Sequence, residues 1–139
     1  MTDKLAFSNK LRWEEGYKGV LSFENDQDIE FALPAPFGGI EGFLSPEDLY
    51  VASVHACFLT TTMTRARKYG ISLISYESSA EGIMEKVGDG REITKILVKL
   101  KIKADADKEK VKAMVDEAAG RVPIVRSVKT EVILETEIL

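Results

Sequence analysis

The sequence predicts an α+β domain whose elements follow the order β-β-β-α-β-β-α-α-β. Short stretches rich in β-branched and aromatic residues alternate with stretches of helical periodicity, and glycine, proline and asparagine clusters separate them. Runs of strands broken by two helical segments are typical of a two-layer α+β fold rather than a regular parallel α/β fold. Since the chain has 139 residues and 45% hydrophobic content, we expect one domain over residues 1–139.

Three short strands open the chain and are expected to form an antiparallel meander. They are predicted at residues 5–13, 17–23 and 28–33. Residues 14–16 and 25–27 have the composition of turns, with glycine in the first and asparagine and aspartate in the second. Residues 34–42 contain two prolines and three glycines, so we expect a loop there.

The first helix has clear signals at both ends. Ser45 is a candidate N-cap, Pro46 suits the first helical position, and Gly70 supplies the stop about two dozen residues later. Small and apolar residues recur at spacings of three and four, which predicts a buried stripe. The stripe comprises Leu49, Ala52, Ala56, Leu59, Met63 and Ala66.

The second half of the chain returns to strands and then to helices. Two long strands are joined by a turn at residues 87–90, and Asp105 or Asp107 is expected to cap the next helix, which Gly120 ends. Pro123 starts a short helix, and an alternating strand follows it. These five elements are predicted at residues 71–86, 92–103, 105–119, 123–128 and 130–139.

Composition excludes several classes of function. A formal net charge of -4 gives no basic field for nucleic acid. Neither an apolar run of about 20 residues nor a signal-peptide core is present, so we expect a cytoplasmic protein without a membrane segment. One cysteine and one histidine allow neither a disulfide framework nor a zinc site of the usual ligands, so no metal and no cofactor are expected.

The one cysteine, Cys57, is the best candidate for chemistry. On the first helix it shares a face with hydroxyl residues, which can hydrogen-bond a thiolate but can equally bond their own helix carbonyls. These residues are Ser53, Thr60, Thr61 and Thr64. The residues alone leave a reactive thiol and a structural core cysteine both open. His55 points about 200° away from Cys57, and we interpret it as structural.

The helix motif resembles the segment around the peroxidatic cysteine of the OsmC/Ohr family of osmotically inducible and organic hydroperoxide resistance proteins. The matching residues are Gly42, the run Ser45-Pro46-Glu47-Asp48-Leu49 and the run Ala56-Cys57-Phe58. Weaker matches extend over nearly the whole chain. The resemblance implies an OsmC-like two-layer fold in an intertwined homodimer, with long central helices against curved antiparallel sheets and active sites at the subunit interface.

The resemblance also implies residue roles. Cys57 matches the cysteine that attacks organic hydroperoxides, and Glu47 matches the acidic residue ten positions earlier. Ten helical residues span about 15 Å, so the two cannot touch within one straight helix, and we expect Glu47 to act across a dimer interface. Glu47 at the second helical position would also stabilise the helix end without any chemistry.

Two catalytic elements of the family are missing. Val122 stands where the family has its second cysteine, so an external thiol would have to reduce an oxidised Cys57. Gly16 and Tyr17 occupy the positions that could hold the family's activating arginine. Possible substitute cations are Lys18 and Arg12, although lysine lacks the planar fork of arginine.

Three interpretations therefore stay open at this point. In the first, the chain is a one-cysteine peroxidase that reduces organic hydroperoxides with an external thiol. In the second, it has the same fold but binds a small hydrophobic ligand in an interface pocket. In the third, it is an inert dimeric scaffold. Aromatic residues are candidates for the wall of such a pocket, although at this spacing they are also typical core residues. They are Tyr17, Phe37, Phe43, Tyr50 and Phe58.

Overall fold

The computed structural model describes residues 3–139 and contains six strands and three α-helices in the predicted order. Two compact units make up the described chain, one ending at Leu49 and the other covering Tyr50–Leu139. The elements are β1 (Asn9–Glu15), β2 (Lys18–Phe23), β3 (Asp28–Ala32), α1 (Pro46–Tyr69), β4 (Leu73–Val87), β5 (Gly90–Ala104), α2 (Lys108–Ala119), α3 (Pro123–Arg126) and β6 (Glu131–Ile138). No helix within residues 3–139 has both the length and the apolar character needed to cross a membrane.

The first unit contains the predicted antiparallel meander in the order β1-β2-β3. Strand β1 begins at Asn9, not at residue 5, because Asn9 pairs with Phe23 and β2 ends there, so residues 5–8 have no strand opposite them. Phe7 is accordingly 91% exposed. The predicted loop after β3 contains one 3₁₀ turn, Ala35–Phe37.

Helix α1 begins with the predicted cap. The Ser45 hydroxyl accepts a hydrogen bond from the Asp48 amide at 3.1 Å, and the Asp48 carboxylate accepts one from the Ser45 amide at 2.9 Å. This reciprocal arrangement is a capping box, which satisfies two backbone donors at the helix start. Gly70, with φ of +66°, ends the helix in the left-handed conformation.

The buried face of α1 differs from the predicted stripe. Of that stripe, Ala66 is buried, but Ala52 and Ala56 are exposed and Met63 is 49% exposed. The buried residues are Val54, Phe58, Thr61, Thr62 and Ala66. Thr62 can lie inside because its hydroxyl donates to the Phe58 carbonyl at 2.7 Å, so no polar group is left unpaired.

The second unit contains one sheet in the order β4-β5-β6. Strands β4 and β5 form the predicted antiparallel hairpin, whereas β5 and β6 are parallel. The expected antiparallel pairing is therefore found in the other strand pairs, and this one pair departs from it. The reason is the connection: the chain between β5 and β6 runs through two helices, and such a crossover returns a strand in the same direction.

Two core clusters fill the second unit. Along β5, buried Ile96, Val98, Leu100 and Ile102 alternate with exposed lysines, as the sequence predicts. The α2 cluster comprises Ala66, Ile71, Leu100, Ile102, Val111, Met114 and Val115. The α1 cluster comprises Val54, Phe58, Ile96, Val98 and Val122.

Candidate functional site

Cys57 lies in the middle of α1 at the edge of the α1 cluster. Its side chain is half-buried, packs against that cluster, and is a free thiol. On its buried side lie apolar core residues, and on its other side runs the hydroxyl face of the helix. The sulfur therefore lies at a boundary between core and polar surface, so it is neither a fully enclosed core cysteine nor a fully exposed one.

The hydroxyl face bonds to the helix itself. Ser53 donates to the Tyr50 carbonyl at 2.7 Å, Thr60 to the Cys57 carbonyl at 3.2 Å, and Thr64 to the Thr61 carbonyl at 2.8 Å. Each of these protons is thereby engaged, while the oxygens keep lone pairs that can accept. The hydroxyls make the surface beside the sulfur polar, but these three protons are not directed at it.

Val122 is fully buried in the same cluster that Cys57 packs against. It precedes α3, and Pro123 takes the first position of that short helix. An apolar side chain thus fills the place where the resemblance expects a second thiol. Within the described chain, Cys57 has no cysteine to condense with.

A groove of about 320 Å³ follows the hydroxyl face on from Cys57. Its lining residues are Thr60, Thr61, Thr64, Arg65, Arg121 and Pro123. Sequence reasoning missed the two arginines, although Arg65 lies two helical turns beyond Cys57 and Arg121 adjoins Val122. Both contact Glu117, with Nη1 of Arg65 at 3.2 Å and Nε of Arg121 at 3.4 Å from Oε1.

Glu47 has a buried oxygen without a hydrogen-bond partner. Its Oε1 atom is enclosed, and nothing within residues 3–139 donates to it. Buried carboxylate oxygens are normally satisfied, because leaving one unpaired is costly. At the start of α1, Oε1 of Glu47 is therefore a hydrogen-bond acceptor without a donor among the described residues.

The two candidate cations of the first unit both contact Glu14. Lys18 Nζ lies 3.3 Å from that carboxylate and 4.8 Å from the centroid of the Phe43 ring, and its side chain is only 19% exposed. Arg12 lies 3.8 Å from Glu14 and is much more exposed. Lys18 is therefore the better-enclosed of the two. The other aromatic candidates of this unit, Tyr17 and Phe37, are exposed.

The aromatic candidates of the second unit serve the core. Phe58 is 4% exposed within the α1 cluster. Tyr50 packs against the same cluster, and its hydroxyl bonds Thr130 Oγ1 at 2.5 Å. Thr130 itself donates to the Ile93 carbonyl at 2.9 Å. These contacts join α1 to the sheet. Phe58 and Tyr50 are therefore core residues, which is the alternative to a pocket wall that the sequence leaves open.

Polar side chains also lie between α1 and β4. His55 Nε2 and Ser78 Oγ are 2.7 Å apart, which agrees with a structural role for His55. Burial raises the pKa of the neighbouring Tyr76, and the hydroxyls of Thr62 and Ser78 offset part of the rise. Within the described residues, no cluster of three or more histidine, cysteine, aspartate or glutamate side chains is arranged to hold a metal.

The motif around Cys57 lies on the capped helix α1, in a chain with two three-stranded sheets. The protein-family model described as OsmC-like protein matches residues 39–137. The chain belongs to the OsmC family. The match includes both Cys57 and Glu47. A comparison with curated protein sequences finds no match.

Solved structures share the fold of this OsmC family member at low sequence identity. An OsmC-like protein of unknown function from Vibrio cholerae is 20% identical, with a TM-score of 0.84 over 98% of this chain and 100% of that one. An organic hydroperoxide resistance protein OsmC from Legionella pneumophila is 21% identical, with a TM-score of 0.72 over 97% and 98%. An organic hydroperoxide resistance protein from Elizabethkingia anophelis is 16% identical, with a TM-score of 0.71 over 97% of each chain.

Proposed function

We propose that the protein is a one-cysteine thiol peroxidase that reduces organic hydroperoxides at Cys57 and is returned to its thiol form by an external thiol. The observation that carries the proposal is the position of Cys57 on the family motif, half-buried beside a groove on the same helix face. Two of the structural neighbours are named organic hydroperoxide resistance proteins, which supports the same substrate class.

The reaction proceeds in three balanced steps. The Cys57 thiolate attacks one peroxide oxygen, an S–O bond forms as the O–O bond breaks, and the alkoxide leaves as an alcohol after taking up a proton. An external thiol then attacks the sulfenic acid to give a mixed disulfide and water. A second external thiol releases Cys57 and forms a disulfide with the first. One hydroperoxide and two thiols thus become one alcohol, one water and one disulfide.

An external thiol is required because Val122 occupies the place of the second cysteine. The valine is fully enclosed in the α1 cluster, so the position contributes packing and no sulfur. Cys57, by contrast, is half-buried and not enclosed, so we expect a small thiol to reach it.

We also propose that the active protein is a homodimer with Glu47 at its interface. The exposed stripe of Ala52, Ala56 and Met63 on α1 supports this, because an apolar helix face is normally covered. Glu47 lies at the start of the same helix.

The proposal is tested by steady-state turnover of cumene hydroperoxide with a small dithiol as reductant. We expect the wild-type protein to turn over this substrate much faster than hydrogen peroxide, and Cys57→Ser to be inactive. Cys57→Ser with undiminished turnover would exclude the mechanism. Absence of turnover by the wild type, together with a co-purified apolar molecule in native mass spectra, would favour the alternative of a binding protein for a small hydrophobic ligand.

A further inference from the structure

The groove beside Cys57 has more positive charge than its surroundings neutralise. Two arginines line it, Arg65 and Arg121, and the described lining residues include no carboxylate. Behind the arginines lies Glu117, whose single oxygen Oε1 contacts both of them. One carboxylate shared by two guanidinium groups leaves one positive charge facing the groove.

Part of the arginine donor capacity is also unused. Glu117 engages Nη1 of Arg65 and Nε of Arg121, and neither guanidinium makes another hydrogen bond within residues 3–139. Since a guanidinium has five N–H donors in a fixed planar arrangement, each arginine keeps Nη donors for a further acceptor. Glu117 and the Tyr69 hydroxyl also bond each other, so the carboxylate is held in place behind the groove. The site is therefore prepared for an anion that the chain itself does not supply.

The groove and the sulfur lie along one line on α1. Thr61 and Thr64 are four and seven residues beyond Cys57 on the same helix face, which places them about 6 and 10 Å from it along the axis. A molecule with its charged end at the arginines and a chain of several methylene groups would therefore bring its other end to the sulfur. The groove volume of about 320 Å³ suits a ligand of that size.

We propose that this groove binds the carboxylate of the small molecule that reacts at Cys57, with Arg65 and Arg121 as its recognition residues. A carboxylate fits because its two oxygens match the paired donors of a guanidinium, which gives short, charge-assisted hydrogen bonds. The identity of the reaction rests on the proposed peroxidase function, but binding of the anion does not. The carboxylate belongs either to the thiol reductant or to the hydroperoxide.

The first test uses only the thiol chemistry of Cys57. We would measure second-order rates of its reaction with dithiobis(nitrobenzoate), a dianionic aromatic disulfide, and with dithiodipyridine, a neutral one. We expect Arg121→Gln to lower the ratio of the anionic to the neutral rate about fivefold, the effect of losing one partly exposed charge contact. Arg121→Glu should lower it further, and high salt should reduce the wild-type ratio towards that of Arg121→Gln.

Arg67→Gln is the matched control, because Arg67 is exposed on the same helix and does not line the groove. We expect it to leave the ratio within about twofold of the wild-type value. An unchanged rate with the neutral disulfide shows that a variant is folded and its thiol reachable. A ratio unchanged in both Arg121 variants, or lowered equally by Arg67→Gln, would overturn the proposal. These reactions need no peroxidase activity, so the rate ratio tests anion binding even if the protein is not a peroxidase.

The second test identifies the source of the carboxylate. Octanoate should slow the reaction of Cys57 with the neutral disulfide, octanamide should not, and Arg121→Gln should remove the difference. Turnover is then compared between a carboxylate-bearing and a neutral thiol, and between a carboxylate-bearing and a neutral hydroperoxide. An Arg121-dependent preference among the thiols assigns the groove to the reductant, and one among the hydroperoxides assigns it to the substrate. Equal protection by octanoate and octanamide would contradict the proposal.

Discussion

Cys57 and Val122 belong to one packed neighbourhood, although 65 residues separate them in the chain. The valine is enclosed in the α1 cluster, and the cysteine packs against that cluster from its edge. The resemblance to the family predicts a second cysteine at position 122, and the structure has the β-branched side chain of Val122 there, fully buried in the cluster. The position therefore contributes packing to the core.

Reintroducing the missing thiol tests this neighbourhood. We expect Val122→Cys to form an internal disulfide with Cys57 after treatment with one equivalent of hydroperoxide, because the sulfenic acid then has a second thiol in the same packed cluster. Intact-protein mass spectrometry under denaturing conditions measures the loss of two hydrogens. Val111→Cys is the matched control, since Val111 is equally buried but lies in the α2 cluster, and it should give no such bond. Equal disulfide formation in both variants would contradict the arrangement.

Tyr76 allows a prediction about pH. Its hydroxyl is buried beside the hydroxyls of Thr62 and Ser78, and burial raises its pKa above the ordinary value of 10.0 while those two hydroxyls offset part of the rise. The folded state therefore keeps this proton at a pH where the unfolded state has lost it. Stability from this group is complete below about pH 10 and is lost as the pH rises from there through the raised pKa.

We expect Tyr76→Phe to change the free energy of unfolding little at pH 7, by about 1 kcal/mol in either direction, because the desolvation cost of the buried hydroxyl and its contacts with Thr62 and Ser78 oppose each other. Above pH 10 the wild type should lose stability faster than the variant. Urea unfolding of both proteins between pH 8 and pH 11 measures the difference, since ionisation of other groups is common to both. A stability difference that stays constant over this range would show that Tyr76 is not a source of pH dependence.

At the scale of elements, the ends of the helices could be predicted and their buried faces could not. Ser45 and Gly70 carry local backbone chemistry, so they locate α1 to within a residue. Which face of α1 is buried depends on threonines that satisfy themselves by bonding their own helix, as Thr62 does. A polarity pattern counts such residues as surface, which is why the predicted stripe differs from the face that is buried within one chain.

The candidate site shows the same division. Cys57 and Glu47 can be predicted as site residues because they belong to a recognisable motif. Arg65 and Arg121 cannot, because they line a groove between residues that are distant in the sequence, and such a groove has no local sequence pattern. The parallel pairing of β5 with β6 was missed for a similar reason. It depends on the path of the chain through α2 and α3, not on the residues of either strand.

The contact of α1 with β4 depends on one glycine. A Cβ atom at Gly82 would lie 2.5 Å from Cγ2 of Val51, a stiff β-branched side chain. We expect Gly82→Ala to lower the free energy of unfolding by about 1–3 kcal/mol, as overpacking does. Adding Val51→Ala to Gly82→Ala should recover part of that loss. In urea unfolding, the double variant should therefore lose less free energy of unfolding than the sum of the two single variants.

Gly90→Ala is the control for this prediction. A Cβ atom at Gly90 would meet nothing within 4 Å, and the residue lies at the start of a strand of the same sheet. We expect it to change stability by no more than about 0.5 kcal/mol. If Gly82→Ala lowers the free energy of unfolding no more than Gly90→Ala does, α1 does not approach β4 as closely as described.

At the scale of the whole molecule, the chain is an OsmC family member with an exposed apolar stripe on α1, formed by Ala52, Ala56 and Met63. A second copy packed on this stripe would cover it, as the proposed homodimer requires. The single domain over residues 1–139, the homodimer and the cytoplasmic location stay predictions of the sequence.

A charge in the stripe tests the homodimer. We expect the wild type to sediment as a dimer and Ala56→Glu to weaken association about a hundredfold or more, because an unpaired carboxylate would be buried at the interface. Ala113→Glu makes the same change at an exposed position of α2 and should leave the dimer intact. A monomeric wild type in sedimentation velocity would disprove the dimer, and equal sedimentation of both variants would disprove this interface.

The most direct test of the proposed function is single-turnover oxidation of Cys57, followed by mass spectrometry with dimedone as the sulfenic acid trap. Wild-type protein treated with one equivalent of cumene hydroperoxide should give the dimedone adduct at Cys57, faster than with hydrogen peroxide, and release one equivalent of the alcohol. Prior alkylation of Cys57 should abolish both products. Alcohol formation without an adduct, or no reaction of Cys57 with either peroxide, would contradict a peroxidatic role for this thiol.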